Sequence, residues 1–193
     1  MPSPAAKRDD VARGDSTQSR ERSPISMKHI DPLIAELKHE SQTTRRFLEA
    51  VPADRLEYKP HEKSMTLGRL AQHIARIPGQ ISAMAMEDVF EFTPDKMQDP
   101  GAPTKDNILE LFEKSLADAL ERLPSIDNEK AMATWKLIVG GREAMVLPRI
   151  AMVRAMLMNH LYHHRGQLGV YLRLTGAKVP SSYGPSGDEN PIG

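Results

Sequence analysis

Cysteine is absent from the 193 residues, which removes disulfides, thiolate nucleophiles, Cys-based zinc sites and iron–sulfur clusters together. A transition-metal site in this chain must be built from His and carboxylates. Aromatics are scarce at 5%, so apolar burial falls to Leu, Ile, Val, Ala and the 11 Met, a mixture that suits packed helices better than a β-sandwich. An excess of one charge is also missing: 26 basic residues face 26 acidic ones, with no Lys/Arg-rich block. Attraction to nucleic acid or an anionic membrane lacks its usual driving force, and neither is expected as a partner. No run approaches the roughly 20 apolar residues that span a bilayer. The N-terminal stretch has no apolar centre of a signal-peptide kind and carries Asp9, Asp10 and Asp15, against a transit peptide. The expectation is a cytoplasmic protein with a small-molecule partner.

What the chain does contain sorts into a tail and one domain. Residues 1–26 hold no aromatic, few large aliphatics and many Ser, Arg and Asp, too little apolar surface to offset ordering entropy. They are expected to be a disordered tail, with Met27 as a candidate internal start and residues 27–193 as the folded domain. From Ile30, the positions Leu33, Ile34, Leu37, Thr44 and Leu48 follow helical spacing up to Pro52. After the loop VPADRLEYKPHEKS, Ser64 is the expected N-cap of a second helix with a stripe of Leu67, Leu70, Ile74, Ile77, Ile81 and Met84, which Pro78 should kink or break. Thr104 caps a third helix through Ile108, Leu111, Phe112, Ser115, Leu116, Ala119 and Leu123, stopped by Pro124. Alternation at Trp135, Leu137 and Val139 around Gly140-Gly141 allows a short hairpin. The last and longest helix runs from about Pro148 to Leu174 and ends at Thr175-Gly176. Four helices joined by moderate connections predict an all-α four-helix bundle, with room for that hairpin before the last helix.

The seven histidines carry the chemistry. At about 100° per residue, Val153, Leu157, Leu168 and Tyr171 share a stripe roughly 80° wide with His160 and His164. Two imidazoles thus stand where a bundle core prefers aliphatics. Their i, i+4 spacing puts both rings on one side of a helix, within reach of an ion about 2.0–2.1 Å from each nitrogen. A third ligand is needed, and His73 is the remaining His inside a helix near its buried edge, roughly 60° from the Leu70 direction. A single such His reads as a hydrogen-bonded core residue. The pair reads as ligands, because each buried, unsatisfied ring nitrogen costs about 1–3 kcal/mol. Three imidazoles leave coordination positions open, as in catalytic sites. His163 falls roughly 60° outside the stripe and reads as a surface or supporting residue; His29, His39 and His61 read as solvated. Arg165 is a candidate to bind an anionic group and Tyr171 to donate a proton, although ion pairing and core packing are the ordinary roles of such residues. No HExxH, paired Glu-x-x-His di-iron motif, glycine-rich phosphate loop or GxSxG elbow is present, so hydrolysis by a serine triad is not expected.

The stretch NHLYHHRGQLGVYLRLTGAKVPSSYGPSGDE resembles the C-terminal signature of DinB-like proteins, also called YfiT-like metal-dependent enzymes. KSMTLGRLAQHIARIPG, with its single His, resembles that family's second-helix segment, and LEYKPHEKS its lead-in. The likeness spans Ile30 to Glu189. It implies a bundle of up-down-down-up connectivity, often a homodimer, with one divalent metal on His73, His160 and His164. It also implies relatives that use low-molecular-weight thiols, among them bacillithiol-type transferases and mycothiol-dependent isomerases. The expected function is a metal-dependent enzyme that activates an external thiol or water towards a small electrophile, thiol S-transferase-like or hydrolase-like. Zinc or nickel leads as the ion, with iron or manganese also accepted by imidazoles. The alternative is a noncatalytic metal- or ligand-binding bundle acting as a stress-related sensor or interaction module.

Overall fold

The computed structural model describes Met1, residues 27–96 and residues 101–191, so the tail expected over residues 1–26 lies, apart from Met1, outside the described residues. The chain is mostly helical. Helix α1, Asp31–Glu49, is amphipathic and buries Ile34, Leu37, Thr44, Phe47 and Leu48. Helix α2, Leu67–Met84, starts two residues later than Ser64 would have it: Thr66 is the N-cap and its hydroxyl accepts from Arg69 N–H. The reason is in the preceding loop. Ser64 is still held in a turn by its N–H to His61 O, while the first helical N–H groups, of Leu67 and Gly68, donate to Tyr58 O and Leu56 O, which satisfies donors that would otherwise be orphaned.

Pro78 lies inside α2 without breaking it. The next residue explains how the helix is supported there: Gly79 N–H donates to Ser115 Oγ at 2.7 Å and Gly79 O accepts from Arg122, both on the neighbouring helix. That neighbour is α3, Lys105–Arg122, opened by the predicted Thr104 in a reciprocal capping box with Asn107. A 3-10 turn, Leu123–Ser125, follows it at the predicted stop.

A short helix α4, Asn128–Met132, precedes the hairpin. Strands β2, Thr134–Val139, and β3, Arg142–Pro148, pair antiparallel as expected, and Gly140 and Gly141 turn the corner at φ 56° and 74°, the left-handed pair that a tight hairpin requires. The hairpin is nevertheless part of something larger. β1, Val89–Phe92, pairs parallel to β2, giving a three-stranded sheet in the order β1-β2-β3, so the all-α expectation is corrected to a mostly helical fold with a small sheet. Trp135 closes the sheet against the helices: it is fully buried and its indole N–H donates to Met84 O at 3.1 Å.

The last helix is continuous but not uniform. It begins as α5, Arg149–Met152, passes through a π-helical segment, Val153–Asn159, and continues as α6, His160–Leu174. Arg149 is fully buried at its start, donating to Lys130 O and Glu87 O and pairing with Asp88; these bonds anchor the helix to α4 and to the approach to β1. The end is a Schellman motif, with Gly176 N–H on Arg173 O, Ala177 N–H on Leu172 O and Gly176 at φ 76°. Helix α1 packs on α3 and α6, and α2 packs on the same two. One apolar core runs between them through Leu37, Leu70, Ile74, Phe112, Leu157, Leu161 and Leu168. Among the described residues no helix is long and apolar enough to cross a membrane.

Candidate metal centre

The seam between α2 and the last helix is where the imidazoles meet. His73 sits in mid-α2, half-buried beside the buried Gln72 and Ile74; His160 and His164 project from the first turns of α6 and are also half-buried. Because the π-helical stretch stops at Asn159, the two residues keep true α spacing and share a face. His73, His160 and His164 each offer a ligand atom, and these atoms lie within 4.8 Å of one another.

Nε2 of His73 and Nε2 of His160 are 3.1 Å apart. Two nitrogens about 2.0–2.1 Å from one ion are about 2.9 Å apart at a right angle and about 3.3 Å apart at the tetrahedral angle, so this pair is already at coordination distance. The ring centroids are 5.0, 4.5 and 4.6 Å apart for the pairs 73–160, 73–164 and 160–164, with every pair inclined rather than stacked. The full set needs to contract by no more than about 1.5 Å to reach the tetrahedral spacing.

Each ligand candidate on α6 is held from behind. His160 Nδ1–H donates to Met156 O at 3.2 Å, a carbonyl inside the π-helical segment. His164 Nδ1–H donates to Gln167 Oε1 at 2.7 Å. A neutral imidazole with its proton on Nδ1 has a bare lone pair on Nε2. Both rings therefore present an acceptor towards the seam, the donor state that a cation requires.

The electrostatics keep the rings neutral. Burial first, then the neighbouring His164, His160 and Arg76, push His73 down to about 4. Burial is also the main cause lowering His160 and His164, with the exposed His163 adding to both and the bonds to Met156 O and Gln167 partly opposing it. At neutral pH the three rings are uncharged, so protons compete weakly with a metal ion for them.

The other predicted residues go elsewhere. Arg165 follows His164 but leaves the helix in a different direction: its guanidinium is buried, ion-paired to Glu40 at 2.7 Å, bonded to Glu40 O and Thr44 Oγ1 of α1 and to Tyr183 OH at 2.8 Å, and flanked by the rings of Tyr162 and Tyr183. Tyr171 donates to Met65 O and packs edge-on against Tyr58, further along the same seam. His163 is exposed with its ring 4.8 Å from that of His164, and His29, His39 and His61 are exposed as expected. A groove of about 610 Å³ runs between α2 and α3 over Gln72, Arg76, Gln80, Asn107 and Lys114, and none of the three histidines lines it. Sequence reasoning missed Gln167 and the Met156 carbonyl. The spacing His164-x-x-Gln167, i to i+3 on one helix face, was the available signal for the first; nothing in the sequence marks the π register that places the second.

Fold and site together define a helical protein whose histidines converge from two helices on a single potential cation position. The DinB family model matches residues 27–190, and the chain belongs to the DinB family. It is similar to the uncharacterized protein YrdA of Bacillus subtilis (strain 168), with 23% identity over 167 residues, 83% of this chain and 91% of that protein. A DinB-like protein of Bacillus cereus ATCC 10987 superposes with a TM-score of 0.61 and 25% identity over 78% of this chain and 95% of that one. The DinB-like protein YjoA of Bacillus subtilis gives 0.60 and 20% over 78% and 97% of the two chains. A DinB family member of Exiguobacterium sibiricum 255-15 gives 0.56 and 17% over 81% and 98%.

Proposed function

We propose that residues 27–193 form a DinB-type four-helix bundle of up-down-down-up connectivity that holds a divalent ion on His73, His160 and His164 and acts as a metal-dependent enzyme. Its expected chemistry is attack by an external low-molecular-weight thiol, or by water, on a small electrophilic substrate. The observation that carries the reading is the convergence of three imidazole nitrogens within 4.8 Å, two of them turned inward by hydrogen bonds on their far side. A bound ion supplies Lewis acidity, lowering the pKa of a sulfur or water nucleophile at neutral pH. The chain's own contribution is to keep the rings neutral by partial burial, to fix their tautomers and to leave open the coordination positions that three ligands do not fill. With no Cys in the chain, a sulfur nucleophile must come from outside. Neutral imidazoles accept zinc and nickel as well as iron and manganese. Arg165 and Tyr171 take structural places in this reading, because their polar atoms are already engaged with α1, the C-terminal segment and the start of α2. The homodimer usual in the family belongs to the same proposal, and a sedimentation run showing only the single-chain mass across a wide concentration range would remove it.

Conjugation of monochlorobimane with a panel of thiols tests the activity. The rate should rise only when thiol and divalent metal are both present, and fall to background in the His160→Ala variant. A metal-loaded protein that turns over neither thiol nor water-labile substrates would instead be a binding module.

A further inference from the structure

The two α6 histidines are anchored differently. His160 leans on a main-chain carbonyl, Met156 O, which no side-chain change removes. His164 leans on one exposed side chain, Gln167, through a single bond of 2.7 Å. The geometry points to Gln167 as the positioning residue that sets the His164 tautomer and thereby the metal affinity of the centre.

The argument rests on hydrogen-bond direction. Gln167 offers its carbonyl oxygen to His164 Nδ1, so that nitrogen must carry the proton and Nε2 must be the bare acceptor. Without the acceptor nothing holds the proton there, and a solvated neutral imidazole returns to a mixture in which Nε2–H is well populated. That form presents a donor where a ligand lone pair is needed. Among the described contacts, Gln167 is the one hydrogen-bond partner of His164 Nδ1. Gln167 is exposed and belongs to no part of the apolar core, so its removal leaves the packing of α6 intact. Partners that orient a ligating His typically change metal affinity by about 10–100-fold when removed. A carboxylate at the same place retains the acceptor and makes the imidazole a stronger base.

This inference rests on the three-histidine metal reading, and two measurements on the full chain keep the two apart. Zinc is titrated against a fluorescent chelator for wild type, Gln167→Leu and Gln167→Glu, with circular dichroism as the check on folding. The metal-free proteins are examined by ¹⁵N–¹H correlation of the histidine rings. Gln167→Leu should keep its fold, bind zinc about 10–100-fold more weakly and show His164 shifted towards Nε2–H. Gln167→Glu should bind at least as tightly as wild type and keep Nδ1–H. A Gln167→Leu protein that binds zinc within about threefold of wild type, with an unchanged His164 tautomer, overturns the role given to Gln167 and leaves the metal reading standing. Wild-type protein that binds no zinc, nickel, iron or manganese overturns both.

Discussion

Replacing Glu40 by Ala tests whether Arg165 is a structural residue. The guanidinium of Arg165 has 3% of its side-chain surface exposed and the Glu40 carboxylate 9%, at 2.7 Å. Removing the carboxylate leaves a cation inside the α1–α6 interface with only neutral acceptors: Glu40 O, Thr44 Oγ1 and Tyr183 OH. An uncompensated buried charge of this kind costs about 3–5 kcal/mol. For a domain of this size each kcal/mol is about 2–4 °C of melting temperature, so the drop should be about 6–20 °C. Urea denaturation followed by circular dichroism at neutral pH gives the same quantity from a lower midpoint at unchanged slope. The double variant Glu40→Leu with Arg165→Met removes both charges and should recover most of the loss, since a matched apolar replacement of a buried pair is often neutral or better. Metal content should be unaltered in all three variants, because no described contact of Arg165 involves His73, His160 or His164. A cost below about 1 kcal/mol for Glu40→Ala would refute the reasoning, as it would mean that the cation is solvated after all.

Acid should weaken the chelator-treated protein. His73, His160 and His164 are all lowered from the ordinary value of 6.5, His73 to about 4, so the unfolded chain binds protons that the folded chain refuses. Stability is therefore full above pH 6.5 and lost as the pH falls towards 4, with a ceiling of about 1.4 kcal/mol per pH unit for each proton, reduced by solvent screening at these half-buried rings. A midpoint that stays flat over that range in a urea series would contradict the burial assigned to the cluster. Gly79→Ala places a Cβ 3.0 Å from Ser115 Cα and Oγ, against backbone of α3; the clash should cost about 1–3 kcal/mol and outweigh the gain of about 1 kcal/mol in helix propensity, and net stabilisation in a thermal melt would show that the helices separate freely there. Thr104→Ala removes one half of the α3 capping box and should cost about 1 kcal/mol in the same assay.

The long helices were readable because their apolar positions recur with period 3.6 and residues with a physical reason mark their ends: Thr104 with its capping box opens α3, Pro124 follows its last turn, and Gly176 with its positive φ closes α6. The Gly140-Gly141 turn was readable for the same kind of local reason. β1 was not. Four residues, Val89–Phe92, hold too little pattern, and their pairing is with β2, over forty residues later in the chain. Ser64 and Thr66 are both good caps, and the choice between them is made by Tyr58 O and Leu56 O, acceptors that exist only in the folded loop. His160 and His164 came out together because i, i+4 spacing survives folding and because polar rings on an apolar stripe are costly without a purpose; His73 followed as the remaining His inside a helix near its buried edge. Arg165 was harder: its counter-ion Glu40 lies 125 residues away on a helix where an acidic residue looks solvated, and only packing shows that it is buried. Gln167 was missed because an exposed amide has no hydrophobic signature at all.

The most direct test of the central claim is the metal content of the protein purified without chelator, measured by inductively coupled plasma mass spectrometry beside single His73→Ala, His160→Ala and His164→Ala variants that keep their helical circular dichroism. Three rings sharing one ion predict about one equivalent of zinc, nickel, iron or manganese per chain in the wild type, and little in any of the variants. Metal-free wild type that cannot be reloaded, or variants that hold as much metal as wild type, would contradict the account.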